Sequence, residues 1–262
     1  MKNFNFKSAT NTKEATKLAT GRATFLAGGM TLLPAMKLGL AGYSDLINIK
    51  KIKGLSGVKV SSKSIRIGAT TTHAEVARSK EVNKSIPSLS ILADGIGDPQ
   101  VRNRGTIGGS IANNDPAADY PSACLALNAT IHTNKRKIMA DKFFKGMFET
   151  DLKKGELIES IEFEVPEKSG YSKYPNPASR YAIVGVYVAK FKKEVRVAVT
   201  GAGDKGVYRS KELETVLSDN FSPSAPENIN ISSKGLNSDI HASADYRAHI
   251  IKVMAKKAVS SC

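Results

Sequence analysis

Two short glycine loops carry the residues of this chain best suited to chemistry. The first runs Ala27-Gly28-Gly29-Met30-Thr31. It falls between a strand candidate, Ala23–Leu26, and a helix candidate, Leu32–Leu40. Glycine lets the main chain approach a ligand closely and take positive φ. Backbone N–H groups at a helix start, aided by the helix dipole, suit a phosphate anion. Thr31 can cap the helix or offer its hydroxyl to phosphate. Pro34 falls in the first turn, where its missing N–H costs little. A plain strand-to-helix turn fits this segment equally well when it is taken alone. The loop is neither Gly-x-Gly-x-x-Gly nor a Walker loop, so the usual nucleotide folds are not indicated.

The second loop is Gly105-Thr106-Ile107-Gly108-Gly109-Ser110. Again adjacent glycines sit beside hydroxyl side chains. Asn113, Asn114 and Asp115 follow, then Asp119 before Tyr120-Pro121. Two such loops, roughly 75 residues apart, can clamp the two phosphates of a dinucleotide through main-chain amides. Asp119 can then accept from a hydroxyl or ring N–H of the cofactor. Its alternative is to cap a helix that begins at Tyr120.

These loops need elements to hold them. Thr12–Thr20 reads as a helix capped by Thr12, and Tyr43–Ile49 as a strand, which makes a small βαβ-like unit around the first loop. Ser64–Gly68 alternates as a strand, and Thr72–Arg78 and Leu89–Ile96 read as helices. Gly97–Asp119 is rich in Gly and Asn and reads as a long polar stretch, functional if ordered. Ser122–Leu127 follows as a short helix. Strands at Ala129–Thr133 and Lys137–Ala140 flank a turn, and Leu157–Val165 alternates. Tyr171–Pro177 looks turn-like. Tyr181–Phe191 and Val195–Val199 suggest an antiparallel pair, and Ser210–Leu217 a helix. Pro223–Asp239 is loop-rich. Ala244–Val259 is an amphipathic helix with Tyr246, Ile250, Val253 and Met254 at helical spacing.

Composition narrows the function. The chain has 262 residues, 41% hydrophobic and 24% charged, ordinary for a globular protein. Neither a signal peptide nor a run of about 18 apolar residues is visible. The expected location is cytoplasmic, with the inner face of the membrane as an option. The 39 basic residues exceed the 24 acidic ones, giving +15. They are scattered without interleaved aromatics, so a solvated surface fits better than nucleic acid, and an acidic partner subunit fits next. Two cysteines, Cys124 and Cys262, fall short of the four thiolates of a [2Fe–2S] cluster. His73, His132, His241 and His249 are dispersed and read as structural or surface groups. No catalytic triad or metal-ligand spacing is legible.

The run from Phe25-Leu26-Ala27 through Gly28-Gly29-Met30-Thr31 to Lys37 resembles the first FAD-pyrophosphate motif of the molybdenum-hydroxylase flavoproteins. These are the medium subunits of aerobic carbon monoxide dehydrogenase and the FAD domains of xanthine dehydrogenase. Gln100–Ala112 resembles their second motif. The likeness continues through Asp115-Pro116-Ala117-Ala118-Asp119, Pro177–Ala182 and Tyr246-Arg247-Ala248-His249, and covers nearly the whole chain. It is closest to the carbon monoxide dehydrogenase medium subunit.

The resemblance implies an α+β fold. A two-subdomain FAD-binding portion of the PCMH type (residues 1–55 and 56–168) would precede a small α+β domain (169–262). Leu26, Ala27, Gly28, Gly29, Met30, Thr31, Leu32 and Leu33 would line FAD, as would Thr106, Ile107, Gly108, Gly109 and Ser110. Ile96 corresponds to an adenine-side contact and Asp119 to a polar contact on the ribityl–flavin side. Ile158, Lys173 and Tyr181 match positions near the isoalloxazine ring. Met30 stands where many relatives carry a polar residue such as His, and Ser110 where Asn is common; both bear on FAD affinity. No catalytic side chain and no metal ligand is implied in this chain. The implied partners are a large molybdopterin subunit and a small [2Fe–2S] subunit, in a heterotrimer that dimerises. Electrons would leave to a quinone or NAD. The rivals are a stand-alone FAD-dependent reductase of related fold, such as the one acting on UDP-N-acetylenolpyruvoylglucosamine, and a basic nucleic-acid module.

Overall fold

The computed structural model describes residues 2–262. The chain starts with a parallel sheet of three strands: β1 (Asn5–Ser8), β2 (Ala23–Leu26) and β3 (Asp45–Asn48), in the order β1-β3-β2. Parallel neighbours need crossovers. Helices α1 (Thr12–Leu18) and α2 (Leu32–Lys37) supply them. Strand β1 was not foreseen: all four of its residues are exposed, so no alternation marks it. The cap of α1 is Asn11, not Thr12, because the Asn11 side chain reaches the Glu14 N–H at 2.9 Å. Helix α2 stops at Lys37, short of the expected Leu40, and leaves Leu38 and Leu40 in solvent.

An antiparallel sheet of five strands comes next. It consists of β4 (Val58–Val60), β5 (Ser64–Gly68), β6 (Thr130–Thr133), β7 (Lys137–Met139) and the later β10 (Ile158–Glu164), in the order β4-β5-β10-β6-β7. The connection from β5 to β6 folds as six helices. They are α3 (His73–Arg78), α4 (Lys80–Ser85), α5 (Pro87–Asp94), α6 (Pro99–Arg104), α7 (Ile107–Asn113) and α8 (Tyr120–Ala126). A short helix α9 (Ala140–Phe143) and a hairpin of β8 (Phe144–Gly146) with β9 (Glu149–Thr150) complete the unit. Alternation along β5 and β10 places Ile65, Ile67, Ile161 and Phe163 against Leu89, Leu92, Ile107 and Tyr120 in the largest core.

The polar stretch 97–119 is not one long loop. Asp98 caps α6 by accepting from the Val101 N–H at 2.8 Å, with Pro99 at the helix start. Thr106 caps α7 by accepting from the Gly109 N–H at 3.2 Å. Each helix is too short, and too rich in polar residues or glycine, to show an apolar period.

The last part is an antiparallel sheet of β11 (Lys168–Pro175), β12 (Ala182–Lys190), β13 (Val195–Thr200) and β14 (Tyr208–Arg209), in that order. Helices α10 (Lys211–Asp219) and α11 (Ala244–Ser260) pack on one face, over Val184, Val186, Val188, Val197 and Val199. The other face gives Tyr171, Tyr187 and Ala198 to the largest core. The turn expected at 171–177 is instead the second half of β11. Its proline, Pro175, is tolerated because β11 is an edge strand. In α11, Ile250 and Met254 are buried as expected, whereas Tyr246 stands in solvent. No helix among the described residues is long and apolar enough to cross a membrane. No cluster of three or more His, Cys, Asp or Glu that could hold a metal occurs among them either.

Arg247 fastens α11 to the sheet. Its buried guanidinium donates to the carbonyls of Ile183 (2.6 Å) and Gly201 (3.0 Å), and pairs with Asp239 at 2.7 Å. Arg247→Met leaves the buried Ile183 carbonyl without its donor, leaves Gly201 O only a long bond from Asn237, and takes the guanidinium from Asp239. It should destabilise the chain by about 3 kcal/mol. Urea denaturation of the two proteins checks this; equal midpoints would contradict it.

Candidate functional site

Strand β2 delivers the first glycine loop to the rim of a cavity of about 640 Å³. That volume lies inside the roughly 300–1,000 Å³ of small-molecule sites. Within the loop, Gly29 has φ +76°, a conformation that disfavours any side chain. Gly28 has a different reason. A Cβ there would lie 2.2 Å from the carbonyl oxygen of Arg104, at the end of α6. The first loop therefore rests directly on the main chain that leads into the second.

Five successive N–H groups, Gly28 to Leu32, find no acceptor among the described residues. Thr31 takes the cap position of α2 but makes no capping bond, so its hydroxyl is available. Unpaired amides need a partner from outside, and a run of them at a helix start suits an anion.

The second loop differs from the expectation that both offer free amides. At the start of α7, the Ile107 N–H donates to Thr71 O (3.0 Å) and the Gly108 N–H to Ala69 O (2.9 Å). The Gly109 N–H is held by the Thr106 hydroxyl. These donors serve the fold. Gly108 is a packing glycine: a Cβ there would lie 2.5 Å from that of Ala69. At Gly109 a Cβ would meet only the Thr106 hydroxyl, at 2.9 Å. This second loop thus contributes a surface without side chains, together with the Ser110 hydroxyl.

The sequence-derived residues fall as follows. Leu26, Ala27, Gly28, Gly29, Met30, Thr31 and Leu32 line the cavity. So do Thr106, Gly108, Gly109 and Ser110. Ile96, Asp119, Ile158 and Tyr181 join them from four separate segments. Leu33, Ile107 and Lys173 are not on the wall. Leu33 packs against Gly29, and Ile107 is sealed in the core. Lys173 sits behind Asp119, donating to it and to Gly95 O, each at 2.9 Å.

Asp119 does not cap α8, for its side chain makes no bond to the helix start. Instead its Oδ1 accepts from Lys173 and from the Tyr171 hydroxyl. Burial pushes the Asp119 carboxyl above the ordinary carboxylate range, and Lys173 and Tyr171 pull against that rise. The Tyr171 phenol is itself pushed well up, by burial first and then by Asp119. At the rim, Tyr181 is raised by burial and by the nearby carboxylates of Asp115 and Asp119.

Of the four histidines, expected in structural or surface roles, His73 is buried and lines the cavity, and the other three are not on its wall. A sequence signal was present. Thr72 and Glu75 form a capping box, which fixes His73 as the first residue of α3. Its ring lies 5.4 Å from that of Tyr120, and its Nδ1 is buried without a partner. Burial, helped by Arg102, pushes its pKa down to about 4.

That shift has a sign. The unfolded chain protonates His73 near pH 6.5, whereas the folded chain resists until about 4. The stability tied to the neutral ring is complete above the unfolded value, drains as pH falls, and is gone below about 4. At 1.36 kcal/mol per unit the loss reaches about 3 kcal/mol. Urea midpoints at about pH 7 and about pH 4.5 should therefore separate more for the wild type than for His73→Gln; equal separations would refute this account.

A cavity with unpaired amides, hydroxyls, apolar walls and a buried carboxylate at Asp119 (the other buried one, Glu156, is taken up by Arg136) fits the diphosphate, the flat rings and the donor groups of FAD. Comparison with known proteins agrees. Residues 2–167 match the family described as the FAD binding domain in molybdopterin dehydrogenase. The glyceraldehyde dehydrogenase medium chain of Sulfolobus acidocaldarius is 36% identical, over 97% of this chain and 96% of that one. The carbon monoxide dehydrogenase medium chain of Hydrogenophaga pseudoflava is 31% identical, over 91% and 88%. A solved structure of carbon monoxide dehydrogenase from Hydrogenophaga pseudoflava superposes with a TM-score of 0.88 at 30% identity, covering 99% of this chain and 97% of that one. The chain belongs to the FAD-binding domain family of the molybdopterin dehydrogenases and is an FAD-binding oxidoreductase subunit of the molybdenum-hydroxylase type.

Proposed function

We propose that this chain is the electron-carrying flavin subunit of a three-part molybdenum hydroxylase. In this reading a large molybdopterin-containing partner oxidises the substrate. A small partner with [2Fe–2S] clusters relays the electrons, and this chain hands them to an external acceptor, a quinone or NAD. The cavity walled by both glycine loops carries the proposal, in a chain whose relatives are named medium chains. Cys124 and Cys262 are both free, two thiols where a [2Fe–2S] cluster takes four thiolates.

The chain's own residues have separable tasks. The amides of Gly28 to Leu32, with the hydroxyls of Thr31 and Ser110, would hold the diphosphate. Ile96, Ile158 and Tyr181 would flank the flat rings. Asp119 would accept from a hydroxyl or ring N–H. Bound FAD supplies the one- and two-electron redox chemistry. The protein's work is to orient it and exclude water around it.

Native purification from the source organism tests the assembly. The expected outcome is co-purification with a large and a small subunit, and reoxidation of the reduced flavin by a quinone or by NAD+. A lone flavoprotein turning over unaided would instead establish the stand-alone reductase.

The two glycines of α7 should separate on substitution. Gly109→Val fills the open side of the loop; FAD affinity should fall about a hundredfold or more, with the melting temperature within about 5 °C of wild type. Gly108→Val overpacks the contact with Ala69 and should cost about 3 kcal/mol of stability. Flavin content and thermal melts of both variants decide this; full flavin in Gly109→Val would contradict the assignment.

A further inference from the structure

We propose that Tyr171 is a positioning residue for the cofactor: it fastens one oxygen of Asp119 so that the other faces the cavity as an acceptor. The proposal rests on FAD occupying this cavity. Tyr171 itself is not on the cavity wall. It and Lys173 are two residues apart on β11, so both point to the same face. Both donate to Oδ1 of Asp119. Oδ2 makes no hydrogen bond among the described residues. Asp119 lines the cavity, and with Oδ1 taken by Tyr171 and Lys173, Oδ2 is the oxygen left for an occupant.

The phenol is built into place. Its ring lies 5.7 Å from that of Tyr187, whose hydroxyl is held by Ser88 at 2.6 Å, and Ser88 in turn contacts Ser169. On the neighbouring strand, Gly185 leaves the slot that the phenol fills. A Cβ there would lie 2.7 Å from the Tyr171 oxygen and 2.9 Å from Thr200 Cγ2. A carboxylate anchored on one side only presents a fixed lone pair on the other, and preorganisation of that kind increases affinity without a new contact.

The charged and titratable groups facing Asp119 are Lys173 and Tyr171 from β11, Tyr120 from α8, and Asp115 and Tyr181 from adjoining loops. Of these, Tyr171 is the neutral donor in direct contact. Removing it leaves the buried carboxylate harder to keep ionised, so the pH below which FAD binding weakens should move up.

The test titrates full-length apoprotein with FAD across about pH 5 to 9, followed by flavin fluorescence. Wild type, Tyr171→Phe, Asp119→Asn and the double variant are compared, with thermal melts to verify folding. Tyr171→Phe should bind about tenfold more weakly, with its acid limb displaced upward. The double variant should bind no more weakly than Asp119→Asn alone, because the phenol acts only through the carboxylate. Gly185→Ala, which crowds the hydroxyl while keeping it, should weaken binding in the same direction. Wild-type affinity with an unmoved acid limb in Tyr171→Phe, or losses that add in the double variant, would overturn the proposal. Failure of the wild type to bind FAD would instead overturn the cofactor assignment beneath it.

Discussion

The cavity exists because two stretches of main chain touch with no side chain between them. At Gly28 the first loop lies so close to the Arg104 carbonyl that even a methyl group would collide with it. This contact joins the parallel sheet to the helical unit of the second sheet. It also brings the end of β2 and the start of α7 to the same side. Other wall groups arrive from elsewhere, Leu157 and Ile158 at the start of β10 and Ser179 to Tyr181 before β12. The nearby Gly105 repeats the theme, for a Cβ there would lie 2.6 Å from His73 Nε2. Small residues are required here for proximity as much as for backbone freedom.

A contact of that kind divides the labour between loops that look alike in sequence. Both read as glycine pairs beside hydroxyls. Only the first keeps its amides free, because its turn is not paired with any strand end. The second turns into α7 directly over the end of β5, and the carbonyls of Ala69 and Thr71 take its first donors. A glycine pair is therefore ambiguous by itself. One member of the second pair serves packing and the other an open surface, and only the three-dimensional neighbours distinguish them.

Burial and packing also decide which elements are visible in the sequence and which are not. Strand β5 was read to the residue because Ile65 and Ile67 alternate cleanly. The long alternating strands and the final helix were visible for similar reasons. Strand β1 escaped notice because neither of its faces is buried. Helices α6 and α7 were hidden by brevity and glycine, though their caps, Asp98 and Thr106, stood in the sequence. Strand β11 was obscured by Pro175, whose penalty vanishes at a sheet edge. The wall residues from the two glycine motifs were legible as local patterns. Tyr171 was not, since its importance comes from long-range packing that no local spacing encodes; for His73 the Thr72–Glu75 capping box marks its place at the start of α3 but not its neighbours across the fold.

The Asp119 network is the feature that stability alone does not account for. A carboxylate 4% exposed, paired with a lysine of which 9% of the side chain is exposed, gives up two hydration shells for one ion pair, one phenol bond and the lysine's bond to Gly95 O. Apolar replacements of similar volume often match or exceed such a pair in stability. Arg247 makes the contrast clear: its buried guanidinium satisfies two carbonyls that the fold itself leaves exposed in the core, so it is structural by accounting. Asp119 satisfies no such groups at its free oxygen. Its donors converge on one atom and leave the other toward the cavity, where a buried acceptor without a partner is costly unless a donor arrives. A bound molecule with hydroxyl or N–H groups removes that cost. The energetics of this one carboxylate thus point to the cavity's occupant as the partner that completes the network.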